Sequence, residues 1–484
     1  MTLALRKLSR FVWEIPREGK MRVAGRLYVS ESQLAALRAD QALEQVVNVA
    51  HLPGIVGASL AMPDIHWGYG FPIGGVAAVD AESGAVSPGG VGYDINCGCR
   101  VITTQLHVDD LRNHLHAIVA KLFAAIPTGM GAGRAIPRLS PRELGELMTR
   151  GADWAVARGY GAGPDDAAHC EESGRLPGAE PDWVSQRALE RGADQVGTLG
   201  SGNHFLEVQQ VTEIYDPEAA AAFGLRTGEI TLMIHSGSRG LGHQVCDETL
   251  HELSRVYARF GADYAALPDR QLACAPIGSE LGQRYLGAMQ AAASFAWANR
   301  QVMTGLAVRA VAEALGLPET ELGARVLYDV CHNIAKFEEH VVDGQLRRVL
   351  VHRKGATRAF GPGDPRVPEA YRDVGQPVLI PGDMGRYSFV LAGSTGAMTE
   401  TFGSSCHGAG RLLSRTAALK RARGRHIERE LAARGIEVLA KGPRTLGEEM
   451  SEAYKDVEDV VDVIAGAGIS RKVAKLVPLG VIKG

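Results

Sequence analysis

Short runs of β-branched and aliphatic residues, each closed by glycine or a polar turn, alternate along this chain with longer stretches of helical periodicity. The runs Gly75 to Asp80, Arg100 to Leu106, Phe205 to Val211, Ile230 to His235, Arg325 to Val330, Arg347 to His352 and Val378 to Ile380 predict strands. A helix is expected from Ser140, where Ser140 and Glu143 form a capping-box pair, Pro141 takes the first helical position and Gly159 supplies an end. Gly261 is expected to close a second helix opened near Asp247. The longest helical stretch, Glu280 to Leu315, is alanine-rich, with Leu281, Tyr285, Met289 and Phe295 as core positions, and it is assigned a structural role. From Ala162 to Asp182 the chain is polar and rich in glycine and proline, but too short for a domain linker. No GxGxxG follows an early strand, which speaks against a doubly wound dinucleotide fold. The expected class is α+β, with sheets flanked by helices and the site at strand ends. Candidate site residues fall in every quarter of the sequence, so one large domain over 1–484 is expected.

Composition narrows this reading modestly. With 484 residues and 45% hydrophobic content the chain can bury a large core, and disorder is excluded. The 59 glycines exceed ordinary usage and cluster around histidines, which implies tight turns and close backbone approach at those places. A net charge of −3 means that any polyanion has to be held by a local basic surface. Seven scattered cysteines argue for a reducing compartment, and the first thirty residues hold no apolar stretch fit for a signal peptide or membrane span. A cytoplasmic protein with no membrane partner is expected.

The most informative segment is Gly89 to Arg100, where Asp94 and Cys97 stand three residues apart in a glycine-dense turn. Asp94 offers a hard oxygen and Cys97 a soft thiolate able to bridge two ions. Alone, such a pair reads as an Asx-turn beside a buried thiol. Three histidines in one recurrent context, at junctions of strand and glycine turn, change that reading: His204, His235 and His332. Imidazoles, one carboxylate and one thiolate suit zinc, manganese, iron or cobalt, and the residues alone do not choose among them.

In Ser404 to Arg411 the sequence predicts a helix opening near His407 and running through Leu412, Leu413, Thr416 and Leu419 toward Leu431. A histidine at a helix N-terminus would meet phosphate, and a neutral imidazole can attack phosphorus. Arg411 and Arg415 would lie one turn apart, followed by the basic run Lys420 to His426. Polar turns at Ser236 to Arg239, His352 to Arg358 and Pro381 to Ser388 can each present amides and a cation to phosphate, though none has P-loop spacing.

Together these segments resemble the RtcB family of RNA ligases. The resemblance rests on Met62-Pro63-Asp64-Ile65-His66-Trp67-Gly68-Tyr69-Gly70, Gly92-Tyr93-Asp94-Ile95-Asn96-Cys97-Gly98, Leu199-Gly200-Ser201-Gly202-Asn203-His204-Phe205, His352-Arg353-Lys354-Gly355 and His407-Gly408-Ala409-Gly410-Arg411. It runs from about Pro53 to Lys483-Gly484. The resemblance implies two manganese ions held by Asp94, Cys97, His204, His235 and His332, with Cys97 bridging. It implies GTP as the second cofactor and His407 as the residue that becomes guanylylated. The nucleotide pocket it implies comprises Asn203, His204, Phe205, Leu206, Glu207, His332, Asn333, Pro381, Gly382, Asp383, Met384, Ser388, His407, Gly408, Ala409, Gly410 and Lys483. Lys483 would otherwise read as a frayed tail. Arg239, Arg411 and Arg415 are the expected RNA-phosphate contacts, and Asp64 is expected to orient a ligand or the nucleophile. The implied partners are RNA ending in a 3′-phosphate or 2′,3′-cyclic phosphate and RNA beginning with a 5′-hydroxyl. The need for the accessory protein archease stays open, as do the roles of Asp383 and Arg386.

Two rival readings use the same residues. A binuclear phosphoesterase would employ His407 as general acid and ignore GTP. A non-catalytic RNA-binding or metal-storage protein would keep the basic run and need no nucleophile.

Overall fold

The computed structural model describes residues 3–38 and 40–484. Two large sheets organise it. The first has seven strands in the order Arg6–Lys7, Val12–Ile15, Ala24–Tyr28, Ile55–His66, Ile73–Asp80, Gln345–Lys354 and Asn333–Val342. The second runs Arg325–Cys331, Gly98–His107, Glu229–Ser236, Phe205–Ile214, Ser470–Lys483, Ser388–Gly393 and Pro377–Ile380, with Glu437–Ala440 added in parallel along the end of Ser470–Lys483. Most pairings are antiparallel, so the expected α+β class is what the chain adopts. All seven expected strands are present, several extended by one to three residues.

The long helix forms over Glu280–Leu315 as expected, opened by the Ser279 side chain on the Gly282 amide and closed by Gly316 at φ 69°. Its middle is buried on every side, with Trp297, Phe295 and Met303 fully covered. It packs on the helices Leu115–Ala125, Pro141–Arg150, Ala152–Val156 and Arg239–Val256.

Three expectations are corrected. The Ser140 helix stops at Arg150, because Gly151 turns to φ 55° with its α-carbon face pressed on the Gly174 carbonyl, and only then does Ala152–Val156 resume. The helix expected near Asp247 opens at Arg239, and a 3-10 turn, Tyr257–Phe260, separates its end from Gly261. Most consequentially, no helix begins at His407. Ser404–Cys406 is a strand paired with Ala356–Arg358, and the next helix is Arg415–Arg421, capped by Ser414. The amides of His407 and Gly408 donate to the Asp64 carboxylate instead of opening a helix. Gly410 then passes so near Asp64 that a β-carbon on it would lie 2.3 Å from the Asp64 carbonyl oxygen. Arg411 therefore precedes the helix that carries Arg415.

Candidate active site

The five expected ligands meet where strands of the eight-stranded sheet end. Gly98–His107 begins just after Cys97, Phe205–Ile214 just after His204, Glu229–Ser236 carries His235 next to its last residue, and Arg325–Cys331 ends one residue before His332. Pairing of these strands in register, with Cys99 opposite His235 and Phe205 also opposite His235, draws four distant segments to one edge. The Cys97 sulfur lies 3.3 Å from His204 Nε2 and 3.2 Å from His235 Nε2. His235 Nε2 lies 3.3 Å from His332 Nε2, and Asp94 Oδ2 lies 2.9 Å from His204 Nε2.

Asp94 Oδ2 is buried and, despite that proximity, has no hydrogen-bond partner of proper geometry. The ligating atoms of the five residues thus crowd one small volume, within hydrogen-bond distance of one another, with Asp94 Oδ2 left unpartnered there. Carboxylate, thiolate and imidazoles converging in this way fit divalent transition ions, manganese included. Cys97, His204 and His235 form one compact trio, and Cys99, His235 and His332 form another. Cys99 had drawn no attention in the sequence; it sits beneath the trio, within the apolar cluster that also holds Val101 and Phe205.

Charge follows from burial. Burial works to raise the Asp94 carboxyl, but neighbouring His204 and Arg239 overrule it, and its pKa falls below the usual carboxylate range. Burial, reinforced by Asp94, pushes the Cys97 thiol well up. Burial and the surrounding cationic groups depress His235 and His332 strongly, so both are neutral and free to ligate.

The backbone around these ligands is held from behind by the long helix. Its Arg300 donates to the Asn96 carbonyl at 2.8 Å, the Ser236 carbonyl at 2.8 Å and both oxygens of Asp329 at 2.7 and 2.8 Å. Asn96 is at φ 50°, a conformation rare for a residue with a side chain, and Arg300 fixes its side chain as well. The adjacent Asn299 accepts from the Gly197 and Thr198 amides and donates to the Gly237 carbonyl. Gly237 itself must be glycine, since a β-carbon would stand 2.4 Å from the Asp94 carboxylate oxygens. The helix assigned a structural role therefore also orders the ligand loops.

His407 stands beside the cluster, its ring 4.7 Å from that of His332. Asp64 Oδ2 accepts from His407 Nδ1 at 2.6 Å. Burial works to raise Asp64, and contact with His407 outweighs it, so the carboxyl is ionised well into the acid range. An ionised partner keeps the proton on Nδ1 and leaves the Nε2 lone pair outward. The cleft before it is lined by His407 to Gly410, Pro381 to Met384, Asn203, Phe205 and Lys483, together with His66, Glu449 and Tyr454.

Not every expected pocket residue lines that cleft. Leu206 turns to the opposite face of its strand, among Ile234 and Ile482, so only its backbone can serve a ligand. Glu207 and Ser388 lie behind the wall, joined through Gln209, with the Ser388 hydroxyl accepting from the Gly382 amide. Burial pushes Glu207 up to about 8. Asn333 braces the loops, its side chain donating to the Asp94 carbonyl and accepting from the Gly355 amide. Lys483 is no frayed tail: it is the last residue of Ser470–Lys483, paired opposite Phe205 and buried. Asp383 and Arg386, left open in sequence, form an ion pair, and Arg386 also ties down the Ser451 and Tyr454 carbonyls.

Among the arginines, Arg239 places its guanidinium near His204 and takes φ 55° at the start of its helix. Arg411 is engaged by Glu449, the Tyr454 hydroxyl and the Glu448 carbonyl. Arg415 is more than half exposed, 3.7 Å from the same Glu449. Glu449 and Tyr454 were missed in sequence. Glu449 stands 38 residues beyond Arg411 in a segment that reads as a solvated acidic surface, so no local signal marks it.

The cluster, the carboxylate-held histidine and the cleft between them define a catalytic centre, and the protein is an enzyme. Comparison with known proteins specifies it further. A family model described as tRNA-splicing ligase RtcB matches residues 45–484, and the chain belongs to the RtcB family. It is 53% identical to the tRNA-splicing ligase RtcB of Archaeoglobus fulgidus over 482 residues, covering 99% of each chain. It is 52% identical to the protein of the same description from Thermococcus kodakarensis over 481 residues, again 99% of each. Against the RNA-splicing ligase RtcB of Mycobacterium tuberculosis it is 52% identical over 443 residues, 91% of this chain and 100% of that one.

Proposed function

We propose that this enzyme joins an RNA 3′-phosphate or 2′,3′-cyclic phosphate end to a 5′-hydroxyl end, in tRNA splicing or RNA repair, using GTP and two manganese ions. The observation that carries the reading is the convergence of Asp94, Cys97, His204, His235 and His332 beside a histidine whose Nδ1 is held by Asp64.

His407 Nε2 attacks the α-phosphorus of GTP; a P–N bond forms and the bond to pyrophosphate breaks. GMP then passes to an oxygen of the RNA 3′-phosphate, and the His407–phosphorus bond breaks. The 5′-hydroxyl oxygen attacks the 3′-phosphorus, loses its proton and expels GMP, sealing the strand. A cyclic phosphate is first opened by water. Bound manganese supplies neutralisation of phosphate oxygens and a lowered pKa for a bound water or hydroxyl.

The chain's own residues bind and orient. Asp94, Cys97, His204, His235 and His332 hold the ions. Asn203, Phe205, Asn333, Pro381 to Met384, Gly408 to Gly410 and Lys483 hold the nucleotide, with Glu207 and Ser388 behind them and Leu206 through its backbone. Arg239, Arg411 and Arg415 meet RNA phosphates, Arg411 being the least free because of Glu449. Residues 1–484 act as one domain, with archease as a proposed accessory partner. Seven free, buried cysteines support a cytoplasmic setting, and no helix among the described residues is long and apolar enough to cross a membrane.

The test is the intact mass of the protein after incubation with GTP and Mn²⁺. A GMP adduct is expected, absent in His407→Ala; no adduct across several divalent metals would overturn ligation in favour of phosphoesterase chemistry.

A further inference from the structure

Around Tyr93, next to Asp94 in the chain, three rings lie together that the proposed chemistry does not use. Tyr93, immediately before Asp94, lies 4.9 Å from His243 with the rings tilted by 32°. Tyr69 meets the Tyr93 ring edge-on at 5.7 Å. His243 is exposed, Tyr69 and Tyr93 are half-buried, and Trp67, two residues before Tyr69, is 54% exposed. Tyr69 and Tyr93 pack against the large apolar cluster while staying partly open to water, and with His243 and Trp67 they leave a group of aromatic rings at the surface.

We propose that Tyr69, Tyr93 and His243 form a stacking platform for the bases of the single RNA strand next to the end being joined. The inference rests on the RNA ligase reading and extends it to how the strand is held.

Three observations carry it. Position comes first: Tyr93 adjoins Asp94 in sequence, and Tyr69, whose ring meets Tyr93, follows three residues after His66, which lines the cleft, so the rings belong to the same segments that build the site. Charge comes second. His243 lies four residues after Arg239, about one turn into the helix Arg239–Val256, and the Arg239 guanidinium reaches the neighbourhood of His204. A cation near the ions followed by flat rings one turn further on matches what a single strand presents, a phosphate and then its bases. Rigidity comes third. Tyr69 sits between two fastened glycines, the Gly68 amide donating to Gln45 and the Gly70 amide to Gln271, while Lys354 donates to the Tyr69 carbonyl. Rings so fixed lose little entropy when a base settles on them.

Stacking is tolerant of base identity, since each base has a π-face, so the platform suits an enzyme that must accept varied RNA ends. It gives grip on the strand without reading its sequence.

The experiment measures binding of a short single-stranded RNA bearing a 3′-phosphate by fluorescence anisotropy, with the full chain. Tyr69→Ala and His243→Ala should each weaken binding about tenfold, while Tyr93→Phe, which keeps the ring, should bind like the parent. RNA with an abasic residue at one of the last few positions should bind the parent about tenfold more weakly, and His243→Ala should no longer register that loss. Parent-like binding by both alanine variants, or an abasic penalty unchanged in His243→Ala, overturns the platform. The GMP adduct formed with GTP and Mn²⁺ alone needs no RNA and reads the other claim: no adduct in the parent sinks the ligase reading, whereas a normal adduct with unaltered RNA binding in the variants sinks the platform alone.

Discussion

Asp64 grips His407 through a single oxygen, which accepts from the ring Nδ1 at 2.6 Å and from the His407 backbone amide at 2.9 Å. Ring and main chain are thereby fixed by one atom, and the outward nitrogen is the one free to react. Asp64→Asn cannot favour the Nδ1 proton in the same way, because an amide oxygen is a weaker acceptor than a carboxylate. The rate of GMP adduct formation should fall about 10- to 100-fold, with the fold intact by circular dichroism. An unchanged rate would show that the imidazole needs no such partner.

Metal uptake should depend on pH through Cys97. Its thiol is pushed well above its ordinary value by burial, so it is protonated in the metal-free protein at neutral pH and must give up that proton to ligate. His235 and His332 are depressed, hence already neutral, and release nothing. Apparent affinity for Mn²⁺ should therefore rise about tenfold per pH unit between about pH 6 and 8. Titration calorimetry across that range checks the slope; Cys97→Ser should lose most of the affinity and flatten what remains.

The seven strands anticipated in sequence are those with dense β-branched runs, where burial of both faces writes itself into residue type. Among the strands overlooked are Ile55–His66, which carries Gly57, Pro63 and Asp64, and Ser470–Lys483, where Pro478, Gly480 and the cations Arg471, Lys472 and Lys475 mask the pattern. The side chains that converge in the candidate metal cluster were legible because carboxylate, thiolate and imidazole are chemically distinctive beside glycine turns. His407 was legible as a residue and misread as a helix start, since nothing local announces that Asp64, 343 positions earlier, captures its amide. Arg300 and Glu449 left no trace for the same reason: their partners are distant in sequence, and an arginine within an alanine-rich helix looks like an ordinary solvated position.

Arg300→Met tests the brace behind the ligands. The substitution strands Asp329 as a buried carboxylate, removing two of its hydrogen bonds while Arg100 alone remains at 2.7 Å. Stability should drop by about 3–5 kcal/mol in urea denaturation. Bound metal in the surviving folded fraction should also drop, because the Asn96 and Ser236 carbonyls lose their anchor. A stability loss with full metal content would confine Arg300 to holding the fold.

Arg411 and Arg415 should separate by salt. Arg415 is largely exposed, so Arg415→Ala should lower the slope of log affinity for single-stranded RNA against log salt by about 0.7 with little change in stability. Arg411→Ala breaks bonds to Glu449, Tyr454 and the Leu413 and Glu448 carbonyls, and should lower the melting temperature as well as weaken RNA binding. Anisotropy at several salt concentrations and a thermal melt distinguish the two.

The candidate ligands come from four separated stretches between Asp94 and His332, and the long helix fastens their loops through Asn299 and Arg300. Such a centre is built by the completed architecture and does not template it, the reverse of a zinc finger. Chelation should accordingly leave an intact apoprotein that can be recharged, so scarcity of the ion would idle this enzyme without condemning it to degradation.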